Sequence, residues 1–184
     1  VSDVYVAAAR LLDRLVIELA SSRAGEPAVA TLHTGASVPD YGCCIDGDLE
    51  GLAVVRIGPV SPSKSWPRPL NEQVRQSDAV EYSVLLEMIV TRCYSTPEDN
   101  GLPTMGVLDS SVRDAQDDAA AMRRAARYTF KEAIPGPWAP RGPMGGLHGG
   151  TMTVTTLVHL DCGPDVIPPP IDEVVMPLDG DPRF

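Results

Sequence analysis

Residues 135–155 read PGPWAPRGPMGGLHGGTMTVT, a concentration of glycine and proline around a single histidine. Gly142, Gly145, Gly146, Gly149 and Gly150 permit positive φ and close backbone approach, whereas Pro135, Pro137, Pro140 and Pro143 fix φ and remove donors. A path so stiff and so tightly turned suits three tasks: holding a phosphate, forming an oxyanion hole, or wedging against a neighbouring subunit. With His148 inside it, Gly145–Gly150 has the composition of a hydrolase oxyanion loop. The chain contains no GxSxG to supply the nucleophile, and such chemistry needs nucleophile, base and donors together. As a phosphate cradle the run matches neither Walker A nor GxGxxG, and its glycines precede an expected strand instead of a helix. A structural turn before a strand is the better reading.

Other chemistry-bearing residues are scattered. Asp46, Asp48 and Glu50 flank Gly47, but no acidic residue closes an EF-hand spacing, so a solvated approach to a strand is the default. His33, His148 and His159 lie far apart, and the four cysteines, two of them adjacent at Cys43 and Cys44, match no zinc spacing. No metal or other cofactor is expected, and the thiols are expected to be reduced. Cys44 and Cys93 become neighbours if their strands pair. Trp66 lies among Pro62, Pro67 and Pro69, and is either folded back on the core or an aromatic anchor for a partner. Trp138 is expected to be a lid over the end of a helix.

At 184 residues the chain is long enough to bury a core without staples, and 43% hydrophobic with 22% charged residues is ordinary for a globular protein. Eighteen prolines are about twice the typical share of roughly 5%. With 15 basic and 25 acidic residues the net charge is −10, which argues against a surface that neutralises nucleic-acid phosphates. No apolar run reaches the ~18 residues of a membrane span, and no signal peptide is apparent, so a soluble, intracellular protein is expected.

The elements that must position these residues follow from periodicity. Ser2 is a candidate N-cap, and Ala8, Leu11, Leu12, Leu15, Val16 and Leu19 recur at helical spacing, predicting an amphipathic helix over residues 3–22. Residues 25–47 read mostly as loop, with a short strand possible at Ala28 to Leu32. Leu49 to Ile57 reads as a strand, and Gly58 to Ser77 as a long, locally basic connection carrying Lys64, Arg68 and Arg75. The alternation Val80, Tyr82, Val84, Leu86, Met88, Val90 predicts a strand over 80–92 with one core-facing side. Leu108, Val112, Ala115, Ala119, Met122, Ala126 and Phe130 predict a long helix, with Asp114, Asp117, Asp118, Arg123 and Arg124 outside the stripe and Pro135 as its stop. A second clear strand runs through Met152, Val154, Thr156, Val158 and Leu160.

Residues 1–163 therefore read as a single α+β domain, an antiparallel or mixed sheet with two helices on one face. Residues 164–184, PDVIPPPIDEVVMPLDGDPRF, read as an extended arm lying on a partner or on its own domain.

Cys44 to Ile57, the PSKSWP segment at 62–67, LEMIVTRC at 86–93, the DDAAAMRRA helix and GPMGGLHGGTMTV at 142–154 together resemble neck proteins of long-tailed actinobacteriophages, above all the tail terminators. The resemblance spans most of residues 3–162. It implies a non-enzymatic virion protein in the tail-neck region, assembled in the host cytoplasm as a ring, usually a hexamer. Such a ring caps the tail tube protein and docks onto the head-side connector or stopper, leaving a channel for DNA. A stopper, adaptor or minor tail protein of the same neck is the alternative, and a small hydrolase or nucleotide-binding enzyme built on the glycine run ranks behind both.

Closed rings need heterologous contacts. The residues expected to make them are Lys64, Trp66, Arg68 and Arg75 in the long connection; Arg141, Met144, Gly145, Gly146, Leu147 and His148 in the glycine segment; and Ile167, Ile171, Val174 and Val175 in the arm.

Overall fold

The structure, a computed structural model, describes residues 3–38, 51–68, 70, 81–93, 103–144, 147–158 and 160. Helix α1 spans Asp3–Ala20, followed by β1 (Val29–His33), β2 (Leu52–Ser63), β3 (Glu81–Cys93), α2 (Met105–Thr129), β4 (Ile134–Met144) and β5 (Leu147–Val158). The strands form one mixed sheet in the order β1-β2-β3-β5-β4, with β1 parallel to β2 and every other pair antiparallel. This is the expected α+β architecture. The Ser2 cap and the 164–184 arm lie outside the described residues.

Both helices pack on one face. Leu11, Leu15 and Leu19 of α1 and Met122, Ala125 and Ala126 of α2 meet Val55, Val84, Leu86, Met88, Val90, Met152 and Val154 of the sheet in one cluster. Each fully buried Leu or Met contributes roughly 1.5–3 kcal/mol. The alternation on β3 predicts that face correctly: Val84, Leu86, Met88 and Val90 are all buried there. Leu52, Val54 and Ile89 form a smaller cluster on the opposite face, where Val29 and Val38 join them.

Three differences from the sequence reading have physical causes. First, β2 runs through Gly58 and Pro59 to Ser63, where a loop is expected, because its ladder with β3 resumes at Val60↔Val84 after a bulge. The chain accommodates the breakers Gly58 and Pro59 in the bulge itself. Second, α2 ends at Thr129 with Phe130 as its cap, five residues before Pro135. Third, the proline-rich stretch after it is not a loop but strand β4. It lies at the sheet edge and breaks register between Pro135 and Trp138 and again between Arg141 and Met144. An edge strand tolerates prolines because a missing donor there removes no second ladder.

The sheet has two ends. At one, the β2–β3 ladder closes at Ser63↔Glu81 and β5 finishes at Val158, opposite Tyr82; this is the hairpin end. At the other, Arg92 pairs with His148 and Thr91 with Gly149; this is the arginine end. Twelve strand residues at about 3.3 Å each separate them by roughly 40 Å.

Candidate functional site

At the arginine end, the side chain that continues the core-facing alternation of β3 is Arg92, which is only 4% exposed. Asp118 of α2 answers it with two bonds, Arg92 Nε to Oδ2 at 2.9 Å and Arg92 Nη2 to Oδ1 at 3.0 Å. Arg92 Nη2 also donates to the Gly25 carbonyl at 2.8 Å, and Ser22 Oγ donates to Asp118 Oδ1 at 3.0 Å. Gly51, at φ +139°, leaves the room: a Cβ there would come within 3.0 Å of the Arg92 side chain. One buried pair therefore ties β3, α2, the turn after α1 and the start of β2 together. The expectation that Asp118 lies outside the buried stripe of α2 is thus corrected, since Asp118 is only 2% exposed. Burial of a carboxylate is tolerable because both its oxygens are bonded.

The polar seam continues along the two antiparallel helices. Arg23 pairs with Asp114 at 3.0 Å and donates to Ser110 Oγ at 2.8 Å. Farther along, Arg124 donates to Glu18 Oε2 at 2.6 Å, and Arg14 pairs with the other Glu18 oxygen. The hydrogen bond from Arg124, with help from Arg14, holds the Glu18 carboxyl below the usual carboxylate range against the opposing effect of burial.

Beside this seam, α2 and the β4–β5 hairpin enclose a groove of about 360 Å³ lined by Leu108, Val112, Trp138, Pro140, Arg141 and His148, among others. Its helix wall is open to solvent: Leu108 is 39% and Val112 60% exposed. The first two turns of the expected apolar stripe on α2 therefore face outward, and the buried part begins at Asp118. Thr104, which the sequence reading missed, caps the helix, its side chain accepting from the Val107 amide. His148 is half-buried, and burial lowers its pKa more than Asp114 and Asp118 raise it.

The glycines here serve packing. A Cβ on Gly149, at φ +155°, would come within 2.0 Å of the Val90 carbonyl oxygen, and one on Gly150 within 2.2 Å of the Trp138 indole. Trp138 thus lies flat against β5 beside the first half of α2, not over the helix end as expected. Gly149 and Gly150 also belong to the β5 ladder, paired with Thr91 and Val90. The strands on either side of residues 145–146 pair as β4 and β5, with Met144 opposite Leu147 and Arg141 opposite Gly149.

The interface residues expected from sequence separate. Lys64, Trp66 and Arg68 occupy a compact turn at the hairpin end, where the Arg68 amide donates to the Ser65 carbonyl at 2.9 Å and Ser63 Oγ donates to the Arg68 carbonyl at 2.8 Å. Trp66 precedes a cis proline there and is half-buried, while Lys64 and Arg68 are exposed. Arg141, Leu147 and His148 lie about 40 Å away at the arginine end. Arg75, Gly145, Gly146, Ile167, Ile171, Val174 and Val175 lie outside the described residues, as do Asp46, Asp48, Glu50 and Cys44. Cys93, the last residue of β3, is half-buried.

Sequence reasoning missed Arg92 as the partner of Asp118, although a signal existed: Arg92 has the same parity as Val84 through Val90. It also missed Ser111, which lines the groove with His148 and donates to the Val107 carbonyl at 3.0 Å. Among the described residues no three His, Cys, Asp or Glu side chains group as metal ligands, and no helix is long and apolar enough to cross a membrane. Comparison with protein-family models, curated proteins and solved structures yields no match.

Proposed function

We propose that this chain is a structural virion protein without catalytic function, a tail terminator whose ring caps the tail tube and presents a new face to the head-side connector. The observation that carries the reading is the separation of two dissimilar surfaces on one rigid sheet. The hairpin end presents a basic and aromatic turn at Lys64–Arg68, and the arginine end presents an apolar groove flanked by exposed Met105, Leu108 and Val112. A protein that stops one polymer and starts another contact needs two unlike docking faces held at a set distance. An exposed apolar strip of this kind is the usual mark of a surface that is covered in an assembly. The net charge of −10 suits a lumen through which DNA passes without adhering.

Ser111 and His148 line the same groove, and Asp114 lies near enough to act on the histidine electrostatically, which favours a hydrolase as the second reading. The assembly reading is preferred because these groups are otherwise engaged: the Ser111 hydroxyl is donated to Val107, and Asp114 is paired with Arg23. Stopper, adaptor and minor tail protein remain alternatives within the same neck.

Electron cryomicroscopy of virions or purified tails tests the proposal by locating the chain. A single ring at the head-proximal end of the tube is the expected result. Density on the connector side moves the assignment to a stopper or adaptor, and absence from particles overturns the structural reading.

A further inference from the structure

At the hairpin end, the last turns of α2 and the start of β4 form a second groove, of about 440 Å³, whose rim carries Arg123, Arg127 and Lys131 and whose floor includes Phe130, Ala133 and Pro135. Arg123 and Arg127 are one turn apart on the same helix face, so their charges are roughly 5–6 Å apart at Cβ. The carboxyl end of the helix dipole offsets part of their repulsion, for Arg127 and Lys131 at the final turn more than for Arg123. None of the three forms an ion pair with another described residue. In a chain of net charge −10 this is a concentrated site of the opposite sign.

We propose that residues 161–184 of the same chain dock along this cationic groove. The segment carries six acidic residues, Asp161, Asp165, Asp172, Glu173, Asp179 and Asp181, against one cation, Arg183. It also carries Ile167, Ile171, Val174 and Val175, which suit a floor of Phe130, Ala133 and Pro135. Proline restricts the backbone before any contact forms, which lowers the ordering cost of laying a sequence of this composition in a groove.

Position favours the chain's own segment over a second copy's. β5 ends at Val158, three residues past Thr155, and Thr155 pairs with Ile134 at the start of β4, beside the groove. Val158 therefore lies about 10–15 Å from the start of β4, counting strand rise and spacing, and the segment starts three residues later in sequence. A tether that short places it at an effective concentration in the millimolar range, above that of any free copy. The inference goes beyond the ring reading, because groove and segment belong to one monomer.

Lys64 and Lys131 are the only lysines in the chain, and both lie at the hairpin end, so a zero-length carbodiimide, which joins a carboxylate to an amine in contact with it, has two reporters. The full chain, mixed from isotope-labelled and unlabelled protein, is treated with the reagent, and the joined peptides are mapped by mass spectrometry. The expected result is Lys131 joined to acidic residues of 161–184 within single-isotope pairs, with Lys64 giving little such product. Arg123→Glu with Arg127→Glu reduces that product about tenfold, a loss of ~1.4 kcal/mol in docking, in a chain that still melts cooperatively and keeps its circular dichroism spectrum.

Equal capture by Lys64 and Lys131, or indifference to the double reversal, overturns the site. Mixed-isotope pairs overturn the intramolecular assignment in favour of arm exchange between copies. A chain that never forms rings still gives the intramolecular product, so failure here and failure of the terminator reading are separately visible.

Discussion

The two halves of α2 treat charge in opposite ways. Toward its start, Asp114 and Asp118 are matched atom for atom by Arg23, Arg92 and Ser22, and the Arg92 pair is withdrawn from water. Toward its end, Arg123 and Arg127 stand exposed with no described carboxylate against them. A buried charge left unpaired is strongly destabilising, so the first arrangement is a structural lock with no capacity left for a ligand. An exposed, unmatched cluster costs little to the fold and keeps its charge available for something else. The difference teaches that in this protein buried, paired ionic groups mark architecture, whereas exposed charges without a described partner are the ones suited to contacts.

The contrast is broken most directly at Asp118. Asp118→Ala leaves the Arg92 guanidinium buried without its carboxylate and is expected to cost about 3–5 kcal/mol, read as a large fall in the urea midpoint. A change below about 1 kcal/mol would mean that the pair is not the lock described.

Gly149→Ala comes next. Its Cβ collides with the Val90 carbonyl oxygen at 2.0 Å, so a loss of at least ~1–3 kcal/mol is expected from overpacking, with a lowered melting temperature. Were the alanine variant as stable as the parent, the β3–β5 approach would be looser than found.

The Glu18–Arg124 contact is intermediate, with Arg124 40% exposed. Arg124→Ala is expected to cost about 1 kcal/mol. Because the folded-state pKa of Glu18 is lowered, its contribution is complete above the ordinary value of 4.5 and is lost as pH falls through the folded value. Stability curves of the parent and Glu18→Gln should therefore converge below about pH 4.5, and parallel curves would contradict the assignment.

The smallest effect belongs to the exposed cluster. Arg127→Glu should move stability by no more than ~0.5 kcal/mol, and a larger loss in thermal melts would show that this end too is structural.

Much of the fold was legible along the chain. The period-two alternation of β3 and the helical spacing of α1 name their core residues directly, and the absence of a helix between the two strands on either side of residues 58–77 points to antiparallel pairing. The edges were less legible. β1 showed only as a possible short strand at Ala28 to Leu32, one residue from its observed span Val29–His33, and β4 is too rich in proline to register as a strand locally; each is completed by the ladder that a neighbouring strand supplies. At the site, composition singled out Arg141 to Gly150 without showing what two of its glycines pack against. Its glycines admit Val90 and Trp138 to close packing, a requirement set by residues about 60 and 10 positions away respectively.

Local periodicity was sufficient for the class of fold, the two helices and the central strands, because burial of one face repeats at a period that the chain itself displays. Which polar residues meet, that Asp118 answers Arg92 while Arg123 and Arg127 meet no carboxylate among the described residues, was decided only when α2 crossed the sheet. Pairing across 26 residues depends on the register and direction in which two elements pack, and no spacing within either element encodes that.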